Sequence, residues 1–334
     1  MTEPSPQHPW LVADIGGTNA RFGLVTDASR RPRGVKVLRV GDHPDLADAA
    51  ETYLDHVTGQ AARPEAACVA VAGPVEGDSF RLTNAAWSFS IADTGRRLGM
   101  DTFEVINDFG AQAMALPHLD DSAVRRIGPA RRVPGKPMAV IGPGTGLGVA
   151  GLLPTDDGWI PATGEGGHVT LPAETPREAD VMALLKAELG GVGAEYLLSG
   201  PGLARLYRYL SVLEGTGAEA LRPEEICRRG QDGTDPLCAE ALDMFCALLG
   251  AFAGNVALTL GARGGLLLGG GILPAMTDVL LRSDFRRRFE NKSPMTPYVT
   301  AIATELITAP APALLGATAW LARHLRHQGA LTPA

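Results

Sequence analysis

The chain has 334 residues and a net charge of −7, and 45% of its residues are hydrophobic. This length predicts about two domains with sizeable cores. The basic residues are scattered and outnumbered by acidic ones, which excludes the basic face of a typical nucleic-acid-binding protein, so we expect no nucleic-acid partner. The N-terminus lacks a signal-peptide pattern and no apolar run is as long as a membrane helix, so we expect a cytoplasmic protein with no membrane partner.

The four cysteines are Cys68, Cys227, Cys238 and Cys246, and no two of them form a CxxC pair. Sequences that form disulfide frameworks or structural zinc sites usually have closer and more regular cysteine spacing. We therefore predict four buried free thiols, as expected in a reducing compartment.

The first elements along the chain predict a β-hairpin. Two apolar runs, at 10–15 and 20–25, flank the turn sequence GGTN, and this pattern is typical of two antiparallel strands joined by a tight turn. The rest of this half predicts alternating strands and helices. These elements are a strand at 34–41, a helix at 45–60, a buried strand at 67–72, a strand at 103–106 and a helix at 109–116 that Pro117 ends.

The opening pattern then returns. Strands at 138–142 and 147–153 flank a second turn at 143–146 that contains PGTG. Two such copies predict two related α/β lobes with a cleft between them, divided into a small domain (1–117 plus 311–334) and a large domain (118–310). The remaining predicted elements are helices at 176–189, 201–213, 236–262, 274–290 and 311–327, and a buried strand that enters a triple glycine within 264–271.

Both glycine-rich turns are candidate phosphate-binding loops. Only glycine lets a phosphate approach backbone N–H groups closely, and the threonine in each turn adds a hydroxyl donor. The chain has no GxxxxGK[ST] motif, and its GxGxxG string at 146–151 begins a strand rather than a helix, which argues against a dinucleotide site. The alternative is that both segments are tight turns that bind no ligand.

Asp108 is the candidate catalytic base. It follows the strand at 103–106 and precedes a helix, and ligand sites of α/β proteins cluster at the carboxyl ends of strands. A sugar hydroxyl loses its proton as it attacks phosphorus, and a carboxylate can accept that proton. The alternative is that Asp108 only caps the helix that follows it.

Two further motifs are candidates for binding groups. Glu165 and His168 flank a glycine pair, so both can face one pocket and bind sugar hydroxyls; the alternative is a polar loop, and a metal site would need more ligands. The triple glycine at 269–271 could let adenine or ribose lie on the backbone at the start of a helix. Its alternative role is close packing of a helix on a strand.

Taken together, these motifs resemble those of the bacterial ATP-dependent glucokinases of the hexokinase and actin-like superfamily. The resemblance covers roughly residues 11–320, and it implies a two-lobed actin-like ATPase fold, of duplicated ribonuclease H-like type, with an interlobe cleft. It also implies phosphorylation of glucose by ATP, as the first step of glycolysis. The matching strings are ADIGGTNARFGLV (13–25), AGPVEGDSFRLTNAAWSFS (72–90), INDFGAQAMALP (106–117), GPGTGLGV (142–149), GEGGHV (164–169), LSGPGL (198–203), FAGNVALTLG (252–261) and GGGILP (269–274).

The resemblance also implies roles for individual residues. It makes Asp108 the general base and Asp14 the carboxylate that holds Mg²⁺ through water, and it implies a homodimer. The implied glucose ligands are Asn84, Asn107, Asp108, Glu165, His168 and Glu195. The implied ATP-binding residues are Asp14, Gly16, Gly17, Thr18, Asn19, Gly144, Thr145, Gly146, Gly269, Gly270 and Gly271.

Three alternatives to a glucokinase stay open. The chain could be a kinase for another hexose such as mannose, fructose or an amino sugar, a non-catalytic sugar-sensing regulator of the same fold, or a polymerising actin-like ATPase. The related repressor/ORF/kinase group carries a cysteine-rich zinc motif after its EGGH-like segment. Residues 169–226 contain no cysteine, so the chain resembles the zinc-free branch.

Overall fold

The computed structural model describes residues 3–57, 59, 62–82, 87–217 and 219–330. The chain divides into two compact units. The first unit comprises Met1–Leu119, Thr155–Thr163 and Ala309–Ala334, and the second comprises Asp120–Pro154 and Gly164–Thr308. The domain boundaries expected from the sequence stay a prediction.

The first unit is built on a five-stranded sheet with the order β3-β2-β1-β4-β7. Its central strand, β1, is antiparallel to β2 and parallel to β4, which in turn is parallel to β7. Its strands are β1 (Trp10–Ile15), β2 (Asn19–Val25), β3 (Arg33–Arg39), β4 (Ala66–Val71), the two-stranded pair β5 (Ser79–Arg81) and β6 (Ser88–Ser90), and β7 (Thr102–Asn107). Its first helices are α1 (Leu46–His56), α2 (Ile91–Leu98) and α3 (Asp108–Ala115).

The second unit contains a six-stranded sheet with the order β11-β10-β9-β12-β13-β8, and it carries more helices. The far end of its β10–β11 hairpin, Thr155–Thr163, groups with the first unit. The strands are β8 (Val124–Ile127), β9 (Met138–Pro143), β10 (Leu147–Thr155), β11 (Gly158–Gly164), β12 (Gly265–Leu268) and β13 (Thr304–Ile307). The helices are α4 (Pro176–Leu189), α5 (Gly200–Leu213), α6 (Pro223–Asp232), α7 (Pro236–Thr259), α8 (Thr277–Arg282), α9 (Phe285–Glu290) and α10 (Thr296–Thr300).

The chain ends in the first unit with α11 (Pro312–Ala330). This helix covers one face of the first sheet, and α1 covers the other, so alternate residues of β1 enter two different cores. Leu11 and Ile15 pack with α1, whereas Val12 packs against α11. Burial on both faces explains why β4 is a continuous apolar run rather than an alternating one.

The two sheets repeat one arrangement. In each, an antiparallel hairpin (β1–β2 or β9–β10) is followed by two parallel strands (β4 and β7, or β12 and β13). Even a single hydrogen bond is repeated: the N–H of Ala72, just after β4, donates to Ile15, and the N–H of Gly269, just after β12, donates to Ile141. The predicted α/β fold with a repeated lobe is confirmed.

One predicted helix is wrong. The segment 274–290 is not a single helix but a 3₁₀ turn at Leu273–Met276 followed by α8 and α9. Ser283 separates the two helices because its backbone is extended (ψ 175°) and its hydroxyl accepts the N–H of Phe285. A serine hydroxyl that accepts a nearby backbone N–H competes with continuation of the helix.

The long helix α7 is apolar and long enough, by composition, to cross a membrane, but 83% of its most apolar window is buried inside the protein. Phe245, Leu248 and Phe252 of this helix lie in the core of the second unit. The four cysteines are free and buried, as predicted.

A buried ion pair holds α4 to α9 in the second unit. Two guanidinium nitrogens of Arg288 donate to the two carboxylate oxygens of Glu178, at 2.6 and 3.1 Å, and both side chains are only 3% exposed. The Glu178 carboxylate also accepts the N–H groups of Glu174 and Thr175 at the start of α4. Burial opposes ionisation of Glu178, but the bonds from Arg288 and from the backbone outweigh it and lower the pKa.

We expect Glu178→Gln to destabilise the protein by about 1–3 kcal/mol, because the buried Arg288 guanidinium loses its two bonds to Glu178 and keeps only the ion pair of its Nε with Glu174, at 3.0 Å. The lowered pKa means that the wild-type advantage is fully present above pH 4.5, the ordinary value, and is lost as the pH falls through the folded-state pKa. Urea unfolding at pH 7 and below pH 4 measures both effects. Glu188→Gln removes an exposed pair with Arg208 from the same helix and serves as the control, with little change expected.

Candidate active site

The first candidate loop is the turn between β1 and β2. The N–H of Gly16 donates to the carbonyl of Asn19 at 2.9 Å and closes the turn, and Thr18 is exposed at the tip. A Cβ added to Gly16 would meet its nearest neighbour at 3.7 Å, an ordinary contact. The packing of the protein therefore does not require glycine here, whereas close approach of a ligand to the backbone would.

Asp14 lies one residue before the end of β1 and directly opposite Arg21 on β2. The Nη1 of Arg21 donates to the Asp14 carboxylate at 3.2 Å. Burial raises the pKa of Asp14, and the positive charge and hydrogen bond of Arg21 oppose this shift. No motif in the sequence pointed to Arg21. Once the turn is known, however, the register of the hairpin places residue 21 opposite residue 14.

Asn107, not Asp108, caps helix α3. The Oδ1 of Asn107 accepts the N–H of Gly110 at 3.0 Å, and its Nδ2 donates to the carbonyl of Gly73 at 3.1 Å. Asp108 is the first helical residue; it is half-buried, and its Oδ1 accepts the N–H of Phe109 at 2.9 Å. The N-cap position thus belongs to Asn107, and the carboxylate of Asp108, which also accepts an N–H of the first turn, lies at a helix N-terminus, where negative charge is favoured.

Close backbone packing fixes the position of α3. Gly316 of α11 lies against the carbonyl of Ala111, so near that a Cβ on Gly316 would come within 1.6 Å of that oxygen. On another side, Gly110 lies against the side chain of Thr163, 2.9 Å from where a Cβ would stand. The helix that begins at Asp108 therefore has little freedom to move within the first unit.

The second candidate loop is the turn between β9 and β10 in the second unit. The N–H of Gly144 donates to the carbonyl of Gly146 at 2.8 Å, and Thr145 is exposed at the tip. The carbonyl of Gly144 accepts the N–H of Gly200 at the start of α5, also at 2.8 Å. A Cβ on Gly144 would have no neighbour closer than 4.0 Å, so this loop too has space that the protein itself does not fill.

Glu195 contacts this second loop directly. Its Oε2 accepts the N–H of Leu147, the residue just after the turn, at 2.9 Å. The same oxygen lies 2.5 Å from the position of a Cβ on Gly146, so the glycine makes room for the carboxylate. A residue predicted as a sugar ligand thus also supports the backbone of a predicted phosphate loop.

The EGGH segment packs on the same stretch of backbone. Gly167 lies against the carbonyl of Leu147, 1.9 Å from where a Cβ would stand, so no other residue fits there. The flanking side chains of Glu165 and His168 are exposed, with Oε2 and Nε2 3.8 Å apart. The strand bridge between Thr170 and Gly193 keeps this segment beside Glu195.

The triple glycine serves close packing at one position at least. Gly270 has φ +84° and lies against the carbonyl of Pro143, 2.2 Å from where a Cβ would stand, so it requires glycine for structural reasons. Gly269 donates to Ile141, whereas Gly271 faces open space. Of the two alternatives for this motif, close packing holds for Gly270, and a role in nucleotide binding stays a prediction.

The predicted residues thus assemble in two groups. In the first unit, Asn107 and Asp108 begin one helix, and Asp14 lies beside its glycine turn. In the second unit, one backbone segment around Leu147 joins the glycine turn, the EGGH segment and Glu195. Asn84 lies outside the described residues. Leu147 contributes only its peptide group, which no motif in the sequence could have revealed.

Known proteins similar to this chain show its family. A family model for glucokinase matches residues 11–324. The glucokinase of Aromatoleum aromaticum is 47% identical over 313 residues, 94% of each chain. That of Saccharophagus degradans is 44% identical over 317 residues, which covers 94% of this chain and 98% of the relative.

Solved structures agree as well. The crystal structure of a glucokinase from an Antarctic psychrotroph has a TM-score of 0.87 at 38% identity, and the match covers 94% of this chain and 98% of that one. A glucokinase of the repressor/ORF/kinase family from Streptomyces griseus, in complex with glucose and AMPPNP, has a TM-score of 0.65 at 18% identity over 94% of this chain and 99% of that one, which supports the fold alone.

The repeated α/β sheet and the polar groups at its glycine turns define a sugar kinase. Within that class, the match over nearly the whole chain is decisive. The chain belongs to the glucokinase family.

We expect Gly144→Ala to raise the KM for ATP about tenfold or more with little change in Tm, because the added methyl enters space that the protein leaves open at the turn predicted to bind phosphate. Steady-state kinetics with varied ATP and thermal unfolding provide the two measurements. Gly217→Ala, also in open space and in the segment after α5, outside both turns, is the matched control. Normal ATP kinetics in Gly144→Ala would remove this turn from the phosphate site.

Proposed function

We propose that this protein transfers the γ-phosphoryl group of ATP to the 6-hydroxyl of glucose, with Asp108 as the general base. The position of Asp108 at the start of α3, in a chain of the glucokinase family, is the main support for this proposal. Asp108 is half-buried at the first position of α3, while Asn107 performs the capping. A carboxylate in this place can accept the proton that the hydroxyl loses as it attacks phosphorus.

The sugar ligands that we propose are Asn107 and Asp108 of the first unit, Glu165, His168 and Glu195 of the second, and Asn84. Carboxylates accept hydrogen bonds from hydroxyl groups, and amide and imidazole groups can both donate and accept. Glu195 uses one oxygen for the N–H of Leu147, which leaves Oε1 for a sugar hydroxyl. Asn107 likewise keeps one amide hydrogen, since its bond to Gly73 uses only the other.

The phosphate-binding residues that we propose are the two glycine turns, with Thr18 and Thr145 exposed at their tips and Asn19 next to the first. Backbone N–H groups that are already oriented can stabilise charge on the transferring group without reorganising. The triple glycine at 269–271 is our proposed contact for adenosine, with Gly271 as the most accessible point.

Asp14 is the carboxylate that we propose for Mg²⁺. Its chemistry fits, because Mg²⁺ usually keeps several waters and binds through one or two carboxylates plus the phosphates of the substrate. When bound, the ion offsets negative charge on the phosphates. The bond from Arg21 orients the Asp14 carboxylate and favours its ionised form against the effect of burial.

Three further features belong to the same proposal. A cytoplasmic location and a place at the first step of glycolysis follow from the reaction that we propose. A symmetric homodimer is the commonest closed assembly of soluble enzymes and the expectation for this family.

We expect Asp108→Asn to lower kcat by about 10²–10⁴-fold while the KM for glucose changes little, because the amide cannot accept the proton yet keeps the shape of the side chain. A coupled assay for ADP release measures both constants. Asp93→Asn makes the same change in the first turn of α2, away from the candidate residues, and should behave as wild type. Wild-type turnover of Asp108→Asn with unchanged glucose affinity would refute the role of this residue.

A panel of glucose, mannose, fructose and glucosamine with ATP tests the substrate. We expect the highest kcat/KM with glucose, because the proposed ligands are those that the resemblance assigns to that sugar. Glucose binding without ADP release by the wild-type chain would indicate a sugar-sensing regulator instead. ADP and polyphosphate as alternative donors test the choice of ATP, since phosphate loops do not read the base.

We expect Gly146→Ala to raise the KM for glucose about tenfold and to cost about 1–3 kcal/mol of stability, because the displaced carboxylate leaves the N–H of Leu147 without its acceptor. The new methyl would meet the Glu195 carboxylate, the movable end of a flexible side chain, and displace it. In contrast, Gly167→Ala would meet the carbonyl of Leu147 and should impair folding. Glucose kinetics and thermal unfolding of the two variants separate these effects; equal glucose KM in wild type and Gly146→Ala would contradict the sugar role of Glu195.

A further inference from the structure

The first unit contains a pocket of about 310 Å³ that includes none of the residues considered so far. It lies between α11, the end of α3 and the segment that joins β2 to β3, and Trp159 of the β10–β11 hairpin forms one side. Its volume is at the lower end of the range for small-molecule sites. All the elements around it belong to the first unit.

The charged groups that line this pocket are all basic. They are Arg30, Arg31 and Arg323, with His118 beside them, and the lining contains no acidic residue. Burial is the main cause that lowers the pKa of His118, and the positive charges of Arg30 and Arg31 lower it further. Such a concentration of positive charge is unexpected in a chain whose net charge is −7, and it favours an anion.

Two of the arginines have unusual features, one in its side chain and one in its backbone. The Nε of Arg323 is buried and has no hydrogen-bond partner among the described residues. A buried donor of this kind is costly unless a ligand satisfies it. Arg30 has a φ of +53°, a left-handed conformation that is uncommon for a residue with a side chain and is often found at binding sites.

One carboxylate already reaches this cluster from outside. Both carboxylate oxygens of Glu3, an exposed residue of the N-terminal segment, accept hydrogen bonds from Arg30: Oε2 from its Nε at 3.1 Å and Oε1 from its Nη2 at 2.5 Å. The Arg30 guanidinium is therefore within reach of an anionic group and is already paired with one. A ligand that binds Arg30 would have to compete with Glu3 for it.

The rest of the lining is apolar. Trp159, Met114 and Leu315 provide the larger surfaces, and small residues of α11 complete them. The face of an indole ring suits the C–H face of a sugar, and guanidinium groups match the oxygens of a phosphate in geometry and charge. The volume suits a monosaccharide phosphate better than a nucleoside triphosphate.

We propose that this pocket is a second ligand site, separate from the candidate active site, and that it binds a small phosphorylated sugar. The phosphate lies among Arg30, Arg31 and Arg323, and the sugar lies against Trp159. The site does not depend on the proposed kinase reaction, because none of its residues belongs to either glycine turn or to the sugar ligands.

Isothermal titration calorimetry of ribose 5-phosphate into the full chain, saturated with glucose, tests the proposal. Glucose 6-phosphate is unsuitable as a probe because it would also bind as the product of the proposed reaction. We expect a dissociation constant of about 1 mM or lower. Inorganic phosphate and ribose should each bind at least about tenfold more weakly, because each makes only half of the contacts.

Two variants change the binding in opposite directions. Arg323→Met keeps the bulk of the side chain but removes its charge, and it should weaken ribose 5-phosphate binding about tenfold or more. Glu3→Gln, an exposed change that is safe for folding, should tighten it because Arg30 loses its competing carboxylate. Arg96→Met, an equal change of charge at a largely exposed residue away from the pocket, should stay within about twofold of wild type.

Three results would overturn the proposal: no binding of ribose 5-phosphate to the wild-type chain, equal binding by wild type and Arg323→Met, or equal affinity for inorganic phosphate and ribose 5-phosphate. The first two would remove the anion site and the third would remove the sugar. Should Arg323→Met fail to fold, unchanged affinity in Glu3→Gln would decide against the site in the same way.

Discussion

The peptide group of Leu147 is the contact on which the candidate site of the second unit depends. Its N–H is held by the carboxylate of Glu195, and its carbonyl is covered by Gly167. The turn that we propose as a phosphate loop and the residues that we propose as sugar ligands therefore contact one segment of backbone. A shift of this turn would move the proposed sugar ligands with it, and phosphoryl transfer that relies on positioning requires such a link.

Glycine serves different purposes at different positions of this chain. At some positions the packing of the protein requires it, and at others the packing leaves room for a side chain. At Gly167, Gly270 and Gly316 a Cβ would collide with a backbone oxygen, so the fold itself demands glycine. At Gly16 and Gly144 a Cβ would have room. Packing therefore does not require glycine at these two turns, and this fits our proposal that a phosphate approaches their backbone closely.

The sequence predicted most elements of the fold because their signals are local. Hairpins with apolar flanks, the continuous apolar strand β4 and the helices α4 and α5 needed no tertiary information. The break at Ser283 and the short strands β8 and β13 were missed because they depend on side-chain caps and on pairing partners distant in the chain. At the site, motifs identified side chains such as Asp108 and Glu195, but they could not reveal contacts that backbone groups make, nor the ion pair of Asp14 with Arg21.

The repeated sheet also explains why one unit alone supplies the proposed base. In the first unit β7 runs directly into α3, so Asp108 is presented at a helix start with Asn107 as its cap. In the second unit the equivalent strand, β13, does not run directly into a helix: the N–H of Thr308 donates to the carbonyl of Ala123, just before β8, and α11 begins only at Pro312. The same arrangement of strands thus ends in the proposed base once and in a structural bond once. The duplication can provide two phosphate-binding turns because a turn needs only backbone, whereas a base needs one side chain in one place.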